Sequence, residues 1–461
     1  MSKLLKNTQE WLAKPTPSVS LAFFRILCGL MLFVTVLRFG LKGWVHDFYV
    51  APKFYFTYYG FEWVKPLPEA GMYTLFIILG IAALAIIAGY RYRIAAVTFF
   101  LGFTYVELID KTNYLNHYYF ISLLTFLIIW LPLHCTFSID SLRNPSIKRE
   151  YVPHWILLVI QMQIGVVYFF GGIAKLNYDW LFRAQPLRIW LSANSGVPII
   201  GGLLDQLWVA YALSWGAMLY DLSIFFLLKW NKTRAWAYAI VLTFHTLTSI
   251  FFSIGMFPYI MSVLTLVFFS ANVHQHVIGL FQSFARKFRT HTKGNAVKEA
   301  PSVASYPVPK FLLAVIVPFF LFQFMMPFRY AFYNSQVWWG EEAFRYSWNI
   351  MRIEKTGHVE FIVKDPTTGN TWTELPTKYL THIQLIQMST QPDMILQFAH
   401  FIADKYKAQG KSVEVYTESY ASVNGRPSQL LIDPTIDLAK EKDSFAPKRW
   451  VREYSERSVA W

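Results

Sequence analysis

Nine apolar stretches, each near the roughly 20 residues needed to cross a bilayer as a helix, constrain this chain more than any other feature. They lie at about 19–38, 70–89, 93–109, 117–135, 154–173, 207–228, 235–254, 256–272 and 310–328. The third is short and runs into Glu107, and the seventh and eighth abut, as a tight hairpin or a broken pair would. Only 15% of the residues are charged, whereas a soluble chain usually carries about 25%. A simple soluble enzyme, a disordered tail and a fibrous repeat are therefore poor readings. The 41 Phe, 27 Tyr and 17 Trp agree, since aromatic girdles sit at membrane interfaces.

The net charge of +14 does not point to nucleic acid. Residues 329–461 hold 16 basic and 16 acidic residues, so the whole excess lies among the apolar segments. Basic loops normally face the cytoplasm. Lys3, Lys6 and Lys14 precede the first segment, and the loops after the second, fourth, sixth and eighth carry the other basic clusters. This alternation predicts a cytoplasmic N-terminus, and an odd number of spans places residues 329–461 in the periplasm or lumen. No cleavable signal peptide is read at the start of the chain. Cys28 and Cys135, both in or beside apolar segments, do not suggest a disulfide-stapled exterior.

Two domains follow: residues 1–328 with a polar cytoplasmic linker at 273–309, and residues 329–461. The expected fold is a polytopic all-α membrane domain of about nine transmembrane helices, followed by a small extracytoplasmic α+β domain. In the second part, SWNIMRIEKTGHVEFIVKDPTTGNTWTE reads as strands joined by a turn at 365–369. Two helices come next, the second starting at Pro392 with Asp393 in its first turn. A further strand ends in an Asn-Gly turn.

Polar groups inside spans are expensive and often functional, although they also serve as helix–helix glue. Asn116, His117, Lys175 and the 253–258 turn, with Ser253 and Met256, are expected at the external boundary, a convergence that could build a pocket. Lys175 reads either as a snorkelling interface lysine or, in an apolar pocket, as a neutral-amine base. His117 is an acid, a base, a hydrogen-bond donor or a helix-end residue. His245 lies at helix-interior depth and is structural or catalytic. Asp221 is expected to pair or cap locally near the cytoplasmic end. Arg183 anchors lipid headgroups or binds a substrate carboxylate. No HExxH, paired-Cys spacing, P-loop or calcium loop is present, so no metal is expected.

Several longer motifs carry a resemblance. NHYYFISLLTFL from Asn116, YFFGGIAKLNYDW around Lys175, FHTLTSIFFSIGMFPY from Phe244 to Tyr259, QPDMILQFAHFI from Gln391 and VNGRPSQLLIDPTIDLA from Val423 stand in family order over nearly the full length. They resemble the vitamin K-dependent gamma-carboxylase family. The resemblance implies that vitamin K hydroquinone is oxidised with O2 to the epoxide, that the oxygenated quinone removes a γ-proton from a peptidyl glutamate, and that CO2 adds to the carbanion. It implies that Lys175 deprotonates the hydroquinone and that His117 is the catalytic histidine. It further implies a glutamate-containing peptide or protein partner, membrane lipid around the protein and a quinone reductase. Two departures stand out. The lysine pair of the animal enzymes is here Ala174–Lys175. The disulfide that joins their first external loop to the outer domain has no counterpart, because neither 39–69 nor 329–461 contains Cys. A relative that oxygenates a quinone with lost or altered carboxylation, and a transporter, are the alternative readings.

Overall fold

The computed structural model describes residues 2–252, 254–286, 309–333 and 336–455. Among the described residues six helices are long and apolar enough to cross a membrane: Val19–Leu41, Glu69–Ala88, Tyr92–Ile109, His154–Ala174, Leu207–Lys229 and Lys310–Phe332. A bent pair, Phe257–Phe268 with Ala271–Leu280, makes a seventh if its two arms form one span.

The expectation of nine spans is therefore not met, for three local reasons. The fourth segment forms a helix only over Asn116–Trp130, because Leu131 turns extended before Pro132. Fifteen residues rise about 22 Å, short of the ~30 Å hydrocarbon core. The seventh forms Arg234–Phe251, whose length suffices but whose apolar content is diluted by His245, Thr246, Thr248 and Ser249. The eighth bends by 116° after a 3-10 turn at Thr265–Phe268. The polar linker read at 273–309 is also corrected. Residues 271–286 are helical, continuing beyond the bend; residues 287–308 lie outside the described residues.

Close helix approach positions the later site. His154–Ala174 packs along Leu207–Lys229, and its glycines make this contact tight. A Cβ on Gly165 would stand 2.4 Å from the Phe225 ring, and one on Gly172 would stand 2.9 Å from the Leu222 backbone nitrogen. Small residues at such positions let helix backbones approach.

The C-terminal part builds a four-stranded antiparallel sheet in the order 371–374, 355–364, 414–423, 429–430. The helices His382–Thr390 and Pro392–Lys407 share its core. The turn after Lys364 and the helix start at Pro392 stand where the turn and cap residues put them. Asn424 and Gly425 both have positive φ, 51° and 73°, the backbone that favours Asn-Gly in tight turns.

The loop between Val19–Leu41 and Glu69–Ala88 is held to the sheet domain without a disulfide. Phe56 is buried in the core of the sheet domain, and the neighbouring Phe54 packs on Phe398 and Phe401. Gln384 Nε2 donates to the Phe54 carbonyl at 2.7 Å and to Asp110 at 2.8 Å, and Gln397 donates to the Thr57 carbonyl at 2.9 Å. Both cysteines are buried and free. Asp393 accepts from Lys111 at 2.7 Å and from Arg345 at 2.8 Å, tying the loop after Tyr92–Ile109 to the first turn of Pro392–Lys407.

A second tie lies on the other side. Asp179, just past His154–Ala174, accepts from both Arg426 terminal nitrogens at 2.5 Å and from Asn424 Nδ2 at 2.8 Å. Burial alone would raise the Asp179 carboxyl, but the Arg426 and Asn424 hydrogen bonds outweigh it and hold it below its ordinary value. Asp393 behaves alike under Arg345 and Lys111. A carboxyl depressed in the folded state stabilises fully above its unfolded pKa and loses that contribution as pH falls through the folded one. Asp110 runs the other way: burial pushes it up to about 6 against the Thr112 and Gln384 hydrogen bonds, so its protonation favours the folded state as pH drops toward 4. Docking of the sheet domain should thus hold at mildly acidic pH and loosen below about pH 4, near the unfolded Asp value. Arg426→Ala leaves Asp179 only Asn424 and the 3.6 Å Arg183 contact and should cost about 1–3 kcal/mol, the range for a lost hydrogen bond to a charged group. Hydrogen exchange at 414–430 checks both; protection unchanged by the substitution would show that the tie contributes nothing.

Candidate active site

Lys175 ends the helix His154–Ala174, and its backbone N–H bonds back to the Gly172 carbonyl at 3.0 Å. Two residues on, Asn177 Oδ1 caps the short helix Tyr178–Phe182 by accepting from Trp180 N. Trp180 is clamped to the neighbouring long helix: its Nε1 donates to the Ser214 carbonyl at 2.7 Å, and Ser214 Oγ donates to the Trp180 carbonyl. Lys175 is thereby held between two fixed helix ends. It is 4% exposed. Its Nζ donates to Asp221 Oδ2 at 2.7 Å and to the Gly171 carbonyl at 3.1 Å, and it stands 5.3 Å from the Trp180 ring.

This pair lies in the wall of a cavity of ≈190 Å³. The rest of the wall is almost wholly apolar, with Leu187, Leu191, Ala217, Phe244, Phe251 and Phe257 contributing. Ile350 and Met351 from the C-terminal part close it. The volume is below the ~300–1,000 Å³ of sites that enclose a whole ligand, so it suits a flat ring head group whose tail lies outside.

His245 is the other polar residue of note in this wall. Its Nε2 faces the Tyr168 hydroxyl at 3.0 Å and the Tyr220 hydroxyl at 3.5 Å, and Tyr168 also meets Thr265 Oγ1. Among the described residues His245 Nδ1 is buried with no partner. A buried nitrogen without a partner is costly, and His245 stands in the wall of this cavity. Lys175, Asp221 and this nitrogen give the cavity the chemistry to deprotonate and hold a hydroxylated apolar ring.

The residues singled out by sequence distribute unevenly. Lys175 and His245 meet at the cavity. His117 is buried nearby but does not line it. Its ring lies beside Gly255, whose missing Cβ would sit 3.5 Å from His117 Cε1, and beside Phe257 at 6.3 Å between centroids. Phe257 also contacts His245 at 6.2 Å, so one aromatic ring touches both imidazoles. Asn116 Oδ1 accepts from the Tyr114 hydroxyl, away from the cavity. Met256 packs in the membrane core and Arg183 pairs with Asp179 at 3.6 Å. Ser253 lies outside the described residues. Asp221 corrects the reading of a local cap: its partner is Lys175, on another helix. Asp221, Tyr168 and Tyr220 were not picked out as site residues. The available signal was Asp221 itself, an acid in the middle of an apolar segment, where a charge calls for a partner.

Residues 13–272, more than half of the chain, match the family model of the HTTM domain, and residues 308–457 match that of the vitamin K-dependent gamma-carboxylase lumenal domain. No solved structure matches the chain. The two matches, in this order along the chain, place it in the vitamin K-dependent gamma-carboxylase family.

Proposed function

We propose that this protein carboxylates the γ-carbon of peptidyl glutamate, coupled to oxidation of vitamin K hydroquinone: hydroquinone, O2, CO2 and glutamate yield epoxide, water and γ-carboxyglutamate. The observation that carries the reading is the Lys175–Asp221 pair in the wall of a cavity otherwise built for a hydrocarbon ring. The residues fit that co-substrate, since the cavity is apolar and His245 Nδ1 waits for an oxygen. When bound, the reduced naphthoquinone supplies, with O2, the strong base that the glutamate step requires.

The chain's own residues do the rest. Transfer of one proton across the 2.7 Å from Nζ to Oδ2 leaves Lys175 a neutral amine and Asp221 an acid, with no net charge buried. Nζ then accepts a hydroxyl proton from the ligand, acting as general base. Tyr168 donating to His245 Nε2 leaves the imidazole proton on Nδ1, where it hydrogen-bonds the ligand oxygen and stabilises charge that develops there. The apolar wall excludes water, which would quench a strong base and a carbanion. His117, across the Phe257 ring from His245, serves the carboxylation half. In this reading the bent pair is one span, which makes seven: residues 1–328 are the catalytic membrane domain with a cytoplasmic N-terminus, residues 329–461 face the periplasm or lumen, and a membrane quinone reductase returns the hydroquinone.

Purified protein given reduced vitamin K, a glutamyl peptide and labelled bicarbonate should form epoxide and labelled peptide together. Epoxide without label would move the assignment to a quinone-oxygenating relative. Neither product from folded protein across a series of naphthoquinols would sink the proposal. His245→Phe should lower epoxide formation by roughly 10²-fold, the usual loss for one preorganised donor, and Tyr168→Phe by less; a His245→Phe protein with wild-type epoxidation removes His245 from the scheme.

A further inference from the structure

Behind the Lys175 cavity lies a second one. The strip 349–352 separates them: Ile350 and Met351 face the first, whereas Asn349 and Arg352 line a cavity of ≈110 Å³. The helix end does the same, with Lys175 in one wall and Ala174 and Leu176 in the other. This second cavity is more polar than the first, with Ser347, Tyr330, Asn349 and Arg352 beside the apolar part of its lining.

Arg352 is the unusual member. A guanidinium has five N–H donors in a planar fork. Here Nη1 donates to Asn349 Oδ1 at 2.8 Å, and Asn349 is turned to present that oxygen because its Nδ2 donates to the Phe344 carbonyl at 2.9 Å. Among the described residues Arg352 makes no other hydrogen bond and no ion pair. The nearby Asp179 is already engaged by Arg426, Arg183 and Asn424, and Glu354 accepts from Trp190 Nε1. Burial lowers the Arg352 guanidinium below its ordinary value, with only partial compensation from Asp179. A partly buried, permanently charged fork with an open edge matches the two oxygens of a carboxylate.

We propose that this second cavity is a carboxylate subsite for an acidic peptide, in which Arg352 holds a glutamate side chain next to the one that reacts. The inference rests on the carboxylase reading, which supplies the peptide. The cavity accepts one side chain, and its position one wall away from Lys175 suits a neighbouring residue rather than the reacting γ-carbon. A phospholipid headgroup with two tails is a poorer fit to ≈110 Å³, although exposed Leu176, Phe328 and Tyr330 stand at the rim.

Direct binding tests this apart from catalysis. A fluorescent peptide with two adjacent glutamates is compared, by anisotropy on the purified full chain, with the same peptide carrying Gln at one of them. Wild type should prefer the doubly acidic peptide by about ten- to hundred-fold, the range for hydrogen bonds to charged groups. Arg352→Met should abolish the preference and Arg352→Lys retain part of it. Asn349→Asp, which places a carboxylate against the fork from inside, should abolish it too. An undiminished preference in Arg352→Met, or no preference in wild type, overturns the proposal. So does a result in which Arg352→Met alters only the retention of phosphatidylglycerol in nanodiscs. Label from bicarbonate entering the glutamyl peptide, followed in parallel on wild type with reduced vitamin K, reports separately on the carboxylase reading: its absence beside a clear charge preference would indict that reading and leave the subsite standing.

Discussion

Lys175→Met should abolish epoxide formation and glutamate carboxylation together, by 10²-fold at least and toward the roughly 10⁴-fold limit for a lost general base. Methionine roughly keeps the side-chain length but cannot accept a proton. The substitution also strands Asp221, which is buried, at a cost of about 3–5 kcal/mol, so inactivity alone would not separate chemistry from folding. The double variant Lys175→Met/Asp221→Leu removes the stranded charge. Replacing a buried ion pair by apolar residues is often neutral or stabilising by about 1–4 kcal/mol, so this protein should regain its thermal stability and stay inactive. Quinone turnover in the stable double variant would refute the assignment of Lys175 as base.

Asp221→Asn should lower turnover by about 10²–10³-fold, within the range of acid–base contributions, while the protein keeps its fold. The amide oxygen still accepts from Nζ, so the lysine stays placed, but an amide cannot take its proton. Asp221 is thus a positioning and proton-holding residue, and the readout that a merely structural role would not move is the pH–rate profile. The shape of that profile should change between wild type and the Asn variant. Asp221→Ala should add a stability loss to the same kinetic defect. A fully active Asn variant with an unchanged profile would reduce Asp221 to a counter-ion.

Two residues of the candidate site, Lys175 and His245, stand out in the sequence, whereas their pairings do not. Lys175 after Gly171–Gly172, and His245 inside an apolar segment, announce themselves because ionisable groups in such settings need a reason. Nothing local marks Lys175 and Asp221 as partners: they are 46 positions apart on different helices. Their contact depends on Gly165 and Gly172 letting two backbones approach until Phe225 and Leu222 fill the missing side-chain space. The placement of Phe257 against both His117 and His245 likewise follows from the break at Gly255, whose φ of +66° redirects the chain.

The sequence by itself determined what depends on neighbouring residues: the membrane class, through apolar length and scarce charge; the start of Pro392–Lys407, through its proline and first-turn acid; and the turn at Asn424–Gly425, through residues that tolerate positive φ. Only the tertiary structure decided how many of the nine segments are long straight helices, because a bend after Thr265–Phe268 and a stop before Pro132 alter length and direction without altering composition. It also decided that Phe54 and Phe56 carry the first loop into the sheet domain and that Asp221 answers Lys175. Periodicity and capping act within a few residues, whereas burial of an aromatic ring or an ion pair is settled by whichever distant surface completes it.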